Sequence, residues 1–197
     1  MREVELKGVV DDVAARRAHV EAAGGRLVYT GRLIDLRYDL PDHSMSLRDH
    51  VLRVRVYEDQ TGRRAHLDWK GETRYEGGFK VREEVSTQVT DPDGLTEILE
   101  KLGFVVTMEI EREIAQYELH GANVRFEEYP DMDALLEVEG APEAIERAVE
   151  AIGISRSAFT SERLPAFVAR FEARTGRRAS LSQAELRGER RYSSDDA

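Results

Sequence analysis

Glu3, Glu5 and Lys7 stand at alternate positions in the run Arg2-Glu-Val-Glu-Leu-Lys-Gly8. Successive side chains of an extended strand point to opposite faces, so these three share one face while Val4 and Leu6 share the other. The same sorting recurs downstream. Val51, Arg53, Arg55 and Tyr57 oppose Leu52, Val54 and Val56; Arg64, His66, Asp68 and Lys70 oppose Ala65, Leu67 and Trp69. Lys80, Arg82, Glu84 and Ser86 oppose Phe79, Val81 and Val85; Arg125 and Glu127 oppose Val124 and Phe126; Glu137 and Glu139 oppose Leu136 and Val138. On any single strand this is the pattern of a half-solvated antiparallel sheet. Across so many strands the polar faces draw almost entirely on Arg, Lys, Glu and Asp, with the two signs mixed. Guanidinium and ammonium groups neutralise anionic oxygens and carboxylates hold hard divalent cations, so the pooled faces suit a polyanion and its metal ions. Charges that are enclosed must be paired, and a polar-lined barrel is the arrangement that pools them.

The elements that would position these residues are legible from period and punctuation. Extended character runs over 2–10, 26–40, 51–57, 63–70, 78–88, 104–119, 122–129 and 134–140. A first helix is predicted from about Asp12 to the Gly24-Gly25 stop. In a second, Asp91 caps, Pro92 opens, Leu95, Ile98, Leu99 and Leu102 form the stripe, and Gly103 ends it. A third carries Pro142, then Ile145, Ala148, Val149 and Ile152 before Gly153, and a fourth carries Leu164, Phe167, Val168 and Phe171 before Gly176. Their apolar stripes need the apolar strand faces. The expected fold is therefore α+β, an antiparallel eight-stranded β-barrel with helices packed on the outside. Gly77-Gly78 reads as a hairpin turn. The stretch 175–197, with scarcely an apolar residue after Leu186, is expected to be a polar, mobile tail holding at most a short helix near Ser182–Arg187.

Composition removes several function classes. A chain of 197 residues with 39 acidic against 29 basic side chains carries a formal charge of −10, which repels nucleic acid, so no nucleic-acid partner is expected. It has no cysteine, hence no disulfide, thiolate nucleophile or Cys-ligated zinc. No run approaches the ~18 apolar residues of a membrane span, and the start is a charged strand rather than a signal peptide, so no membrane partner and a cytoplasmic location are expected. His19, His43, His50, His66 and His120 lack metal-ligand spacing, and only His66 falls on a polar strand face. The phosphate-binding Gly-x-x-x-x-Gly-Lys loop is absent. Asp39, Asp42 and His43 around Pro41 read as a turn rather than a metal cluster.

In this order and on these strands the charged residues resemble the CYTH superfamily, also called triphosphate tunnel metalloenzymes. Glu3, Glu5 and Lys7 match its opening Glu-x-Glu-x-Lys. Leu52-Arg53-Val54-Arg55 matches its Arg-x-Arg strand, Trp69-Lys70-Gly71 its Lys-Gly step, and Arg82 with Glu84 its Arg-x-Glu strand. Phe126-Glu127-Glu128-Tyr129-Pro130 is similar to its Leu-Asp-Glu-Trp-Pro stretch, and Leu136-Glu137-Val138-Glu139-Gly140 to its closing Glu-x-Glu strand. The resemblance covers about residues 2–172 and implies a tunnel domain over 1–174. One position departs: Arg112 fits the arginine of the family's Lys-x-Arg strand, but Ile110 stands where lysine is usual, between Glu109 and Glu111.

The resemblance implies that Lys7, Arg53, Arg55, Lys70, Arg82, Arg112 and Arg125 grip a triphosphate, with Lys7, Arg53, Lys70 and Arg112 also catalytic. It implies that Glu3, Glu5, Glu127, Glu137 and Glu139 place Mg²⁺ or Mn²⁺. The implied activity is metal-dependent hydrolysis of a small-molecule triphosphate, whether inorganic triphosphate, thiamine triphosphate or a nucleoside triphosphate. Two alternatives stay open: a class IV-type adenylate cyclase forming cyclic AMP and pyrophosphate, and a non-catalytic triphosphate or polyphosphate binder. Monomer and homodimer are both compatible with this reading.

Overall fold

The computed structural model describes residues 2–192. Its strands are β1 (Arg2–Val9), β2 (Arg26–Asp39), β3 (Val51–Asp59), β4 (Gly62–Lys70), β5 (Arg74–Glu76), β6 (Phe79–Val89), β7 (Val105–Leu119), β8 (Ala122–Glu128), β9 (Leu135–Glu139) and β10 (Phe159–Thr160). The helices are α1 (Val13–Ala22), α2 (Pro92–Lys101), α3 (Pro142–Ile152), α4 (Leu164–Thr175) and α5 (Gln183–Leu186). Strands β1, β9, β8, β7, β2, β3, β4 and β6 are hydrogen-bonded in that order, and β6 returns to β1 through Val4↔Val81 and its neighbours. The result is a closed antiparallel eight-stranded barrel with helices outside, as the alternating faces predict.

Helix starts follow the local chemistry. Asp12 accepts from the Ala15 amide and Asp91 from the Gly94 amide, each satisfying an orphan N–H of the first turn. Helices α1 and α3 cover the outward residues of β1, β9, β8 and β7, where Leu6, Val124, Leu136, Val138, Ile145 and Ile152 are fully buried together. Helix α2 covers a second cluster around Tyr38, Val54, Val56 and Leu99. The Gly77-Gly78 turn takes φ of 59° and 83°, the pair of positive values that a two-residue hairpin needs, and joins β6 to β5. Strands β5 and β10 were not expected from the sequence; at three and two residues they are too short to show a period.

The expectation of a mobile tail is corrected for the residues described. Ala179 and Leu181 are buried against Phe167, Phe171, Met108 and Ile110, and Ser182 is fully buried. The cause is an unpaired edge. The register of β7 with β8 begins at Glu113, which leaves the first half of β7 paired with β2 alone. There the Glu111 amide donates to the Leu181 carbonyl at 2.7 Å, and Ser180 pairs with Asp131. Two small apolar side chains in a polar stretch were enough to seat it. The expected tail's last residues, 193–197, lie outside the described ones. Among the described residues no helix is long and apolar enough to cross a membrane.

Candidate functional site

A cavity of about 590 Å³ occupies the barrel interior. All the residues singled out from the sequence line it: Glu3, Glu5, Lys7, Arg53, Arg55, Lys70, Arg82, Arg112, Arg125, Glu127, Glu137 and Glu139. Alternation places them there, because the outward half of each strand is committed to the apolar clusters under the helices.

On one side of the cavity, arginines of β3 and β7 converge on Asp35 of β2. Arg55 holds it with a fork, Nε to Oδ1 at 2.7 Å and Nη2 to Oδ2 at 2.9 Å, while Arg112 Nη2 reaches Oδ2 at 2.9 Å and Arg53 Nη1 lies 3.6 Å away. Burial disfavours the Asp35 charge, yet Arg55, Arg112 and Arg53 outweigh it and hold the carboxyl well below its usual range. Arg53 also donates to Asp68 at 2.8 Å, and Ser86 donates to the other Asp68 oxygen at 2.6 Å. Positive charge is in surplus here. Arg112 Nη1 is buried with no hydrogen-bond partner. Arg37, on β2 two residues beyond Asp35, is pulled down to about 9 by burial and by repulsion from Arg53, Arg112 and Arg163, against the pull of Asp35.

Carboxylates dominate the opposite side, formed by β1, β8 and β9. Glu127 accepts from Arg125 at 3.0 Å, Arg112 at 3.2 Å and the Tyr129 hydroxyl at 2.8 Å, with Lys7 at 3.5 Å. Burial opposes its ionisation, but Lys7, Arg112 and Arg125 bring it to about 2. Glu137 is paired with Lys7 at 2.8 Å and with Arg125. Glu5 accepts from Lys80 at 2.6 Å, and Glu3 accepts from Lys70 at 2.5 and 2.6 Å. The Glu3–Lys70 pair pulls two ways: Lys70 lowers the Glu3 carboxyl against burial, whereas burial and Arg53 lower Lys70 itself. With both contacts this short, the ionised pair is the state we assign. Glu139 differs. Burial, then Glu137 and Glu3, push its carboxyl up to about 7. It sits directly across from Glu5 on β1 and Asn123 on β8.

Arg82 lines the cavity but spends its donors on backbone, giving Nε to the Gly71 carbonyl at 2.6 Å and Nη2 to the Asp49 carbonyl. Sequence reasoning missed Asp35 and Arg37 as site residues. The signal was present in Leu33-Ile34-Asp35-Leu36-Arg37, whose alternation places both charges inside. Asp68, Lys80 and Glu84, read only as polar-face residues, also line the cavity, as do Tyr57, His66, Gln116 and Asn123. The remaining candidates behave as read: Asp39 accepts from the Leu40, Met45 and Ser46 amides and Asp42 from the Ser44 amide, which is turn chemistry.

Ile110 does face the barrel interior, directly across from Asp35. It is 1% exposed and packs with Leu135, Leu164 and Phe167, so the position usual for lysine has become a seat for α4.

The fold is shared with solved structures of low sequence identity. A candidate adenylate cyclase from Vibrio parahaemolyticus aligns with a TM-score of 0.72 and 17% identity, over 85% of this chain and 97% of that one. The PH1819 protein of Pyrococcus horikoshii OT3 aligns with a TM-score of 0.70 and 21% identity, over 89% and 99%. A candidate adenylyl cyclase from Hippeastrum, described as having a dominant triphosphatase activity, aligns with a TM-score of 0.62 and 20% identity, over 92% and 98%. No match was found among curated proteins. The CYTH domain matches residues 1–155, which takes in every strand of the closed barrel and every candidate residue in it. The chain therefore belongs to the CYTH domain family.

Proposed function

We propose that the protein binds a small-molecule triphosphate inside the barrel and hydrolyses it with the help of Mg²⁺ or Mn²⁺. The observation that carries this reading is the separation of unbalanced charge within one cavity. Arg53, Arg55 and Arg112 converge on one carboxylate, Asp35, with Asp68 beside Arg53 and Glu127 beside Arg112, while Glu139 is crowded by Glu137 and Glu3. Phosphate oxygens would complete the first group, and a divalent cation the second. The unpartnered Arg112 Nη1 is a donor that a phosphate oxygen satisfies.

In this reading Lys7, Arg53, Arg55, Lys70, Arg112 and Arg125 hold the phosphate chain, joined by Arg37. Of these, Lys7, Arg53, Lys70 and Arg112 stabilise the charge that spreads over phosphoryl oxygens as the bond breaks. Arg82 acts by fixing the loops that carry Asp49 and Gly71. The carboxylates fit a hard divalent cation in donor chemistry, and the raised Glu139 marks negative charge that such an ion relieves. Among the described residues no trio of acidic or histidine side chains yet forms a metal-holding group; the lysine and arginine contacts hold the carboxylates apart. Glu3, Glu5, Glu137 and Glu139 would hold the ion, which when bound supplies Lewis-acid neutralisation of the phosphate oxygens. Glu127 is already engaged by Lys7, Arg112, Arg125 and Tyr129, so we assign it to orienting those groups instead.

Hydrolysis asks only for a triphosphate grip, a cation and water, which ranks it above cyclisation. The cyclase alternative is favoured by Tyr57, His66, Gln116 and Asn123, which line the cavity and offer an organic moiety hydrogen bonds. The non-catalytic alternative keeps its motive, because Ile110 lines the cavity where lysine is usual in the family, so that position supplies no cation while it seats α4. Product analysis with inorganic triphosphate, thiamine triphosphate and ATP, each with Mg²⁺ or Mn²⁺, tests the reading. Orthophosphate release is the expected result, cyclic AMP with pyrophosphate would replace it by the cyclase, and binding without turnover would overturn the enzyme.

A further inference from the structure

The seam between β1 and β6 stops at Arg2↔Glu83, so among the described residues 85–89 of β6 pair with β4 alone. Val85, Ser86, Thr87 and Gln88 are all exposed. A strand edge presents a row of unpaired N–H and C=O groups, and proteins ordinarily blunt it with charge, brevity or a cover. The other edges here follow that rule. Strand β5 offers three residues with Arg74 and Glu76 at its ends, β10 is two residues long, and the free stretch of β7 is bonded to the Leu181 carbonyl. In a chain of which 35% of the residues are charged, the run Val85-Ser86-Thr87-Gln88-Val89 has no charge and no proline, so nothing in it keeps another strand away.

The ladder with β4 fixes which groups are free. Successive residues of an antiparallel strand turn their N–H and C=O alternately to one neighbour and to the other. The Glu83 carbonyl accepts from the Gly71 amide at 2.9 Å, so Val85, Thr87 and Val89 also bond toward β4, and Ser86 and Gln88 direct their backbone groups to the open side. Side chains alternate as well: Ser86 and Gln88 take the inner face, and Val85, Thr87 and Val89 the outer. Val85 is 56% exposed. The run is symmetric about its centre, with valine at each end, an uncharged polar residue next, and Thr87 in the middle. A two-fold axis through Thr87, perpendicular to the sheet, therefore sets Val85 against Val89, Ser86 against Gln88 and Thr87 against its own copy, with every face matched.

We propose that residues 85–89 of β6 form a dimerisation edge, on which a second copy of this chain adds its own β6 antiparallel about Thr87. Ser86 of one copy and Gln88 of the other exchange backbone hydrogen bonds, and the exposed Val85 gains an apolar neighbour. An interface with two-fold symmetry has to be self-complementary, which is the property of this run and a demand that no unrelated peptide strand would make of it. Ser86 also lines the cavity, where its hydroxyl donates to Asp68 at 2.6 Å, so Gln88 of the second copy comes to the cavity rim. The proposal is independent of the triphosphate reading.

The test is sedimentation equilibrium of the full chain from about 1 to about 300 μM. A strand pair this short makes a small interface, so the expected result is a reversible dimer with a Kd on the order of 10–100 μM. A monomer throughout would overturn the proposal. Thr87→Lys sets two ammonium groups against each other on the axis and Thr87→Glu two carboxylates, and each should weaken the dimer by about tenfold or more with thermal melting unchanged. A dimer that either variant leaves intact would put the interface elsewhere and overturn this edge. Mixing the two variants should restore pairing between unlike copies to at least the parent's strength, and a mixture that stays monomeric would overturn the axis through Thr87.

Discussion

The inner and outer faces of the barrel are made from the same strands, and on β1 both are buried. On β1, Leu6 is 0% exposed and Glu5 is 4% exposed. What differs is company. Leu6 lies among apolar side chains of the neighbouring strands and the helices outside, whereas Glu5 holds Lys80, its partner on the adjacent strand β6, on the inner face. Burial outside contributes stability at about 25 cal/mol per Å² of apolar surface. Burial inside costs desolvation that ion pairing roughly repays. The outer face therefore carries the fold, and the inner face is free to carry unbalanced charge for a ligand.

Leu6→Asp should have the largest effect, because it places an unpaired carboxylate in the fully buried outer cluster and removes its packing. The cost of several kcal/mol rivals total stability, so cooperative melting by circular dichroism should be lost at room temperature. A folded Leu6→Asp protein would erase the distinction drawn between the faces.

Ile110→Lys sharpens the comparison at the one inner position that behaves like the outer face. Sequence resemblance alone would have this change raise activity. Its burial under α4 makes loss of stability the expected outcome, about 3 kcal/mol or roughly 6–12 °C in Tm, and unchanged melting with higher turnover would show the side chain free in the tunnel.

Glu5→Gln separates the faces from within. Turnover should fall by about 100-fold or more while Tm moves by less than about 3 °C, since the loss is of a carboxylate paired with a partly solvated lysine. Full activity would remove Glu5 from the site, and a collapse in Tm would make it a fold residue.

The smallest effect expected is a gain. Glu139 faces Glu137 beside it, Glu3 and Glu5 on β1, Asn123 on β8, and the opposing charges of Arg125 and Lys70. Its carboxyl is raised to about 7 from the ordinary 4.5, so the folded state binds the proton more tightly than the unfolded one. That group therefore subtracts stability progressively as pH rises from about 4.5 through 7. In chelator, Glu139→Gln should match the parent near pH 4 and melt roughly 5 °C higher above pH 7, as measured by thermal melts across pH. A gain that is independent of pH would show that Glu139 does not titrate near neutrality.

Period-two sorting was enough to assign faces, because pleat geometry fixes the direction of each side chain from its position alone. From it, and from capping and glycine signals, followed the barrel strands, the helices and the candidate charged residues that line the cavity, except Arg112, which only the family resemblance singled out. Asp35 and Arg37 escaped notice because Leu33 falls at the same spacing and blurs the alternation of β2, so their importance comes from the arginines brought to them by β3 and β7. The family resemblance made Glu127 a metal ligand, and only the structure brings Arg112, Arg125, Lys7 and Tyr129 to it. The seating of Ala179 and Leu181 depends on an unpaired edge of β7, and the Arg163–Asp49 contact joins the start of α4 to the connection between β2 and β3. The sequence by itself determined which side chains point the same way, since that is a property of neighbouring residues. Which charges meet was decided by pairings between distant segments, because electrostatic balance exists only once the ring of strands is complete.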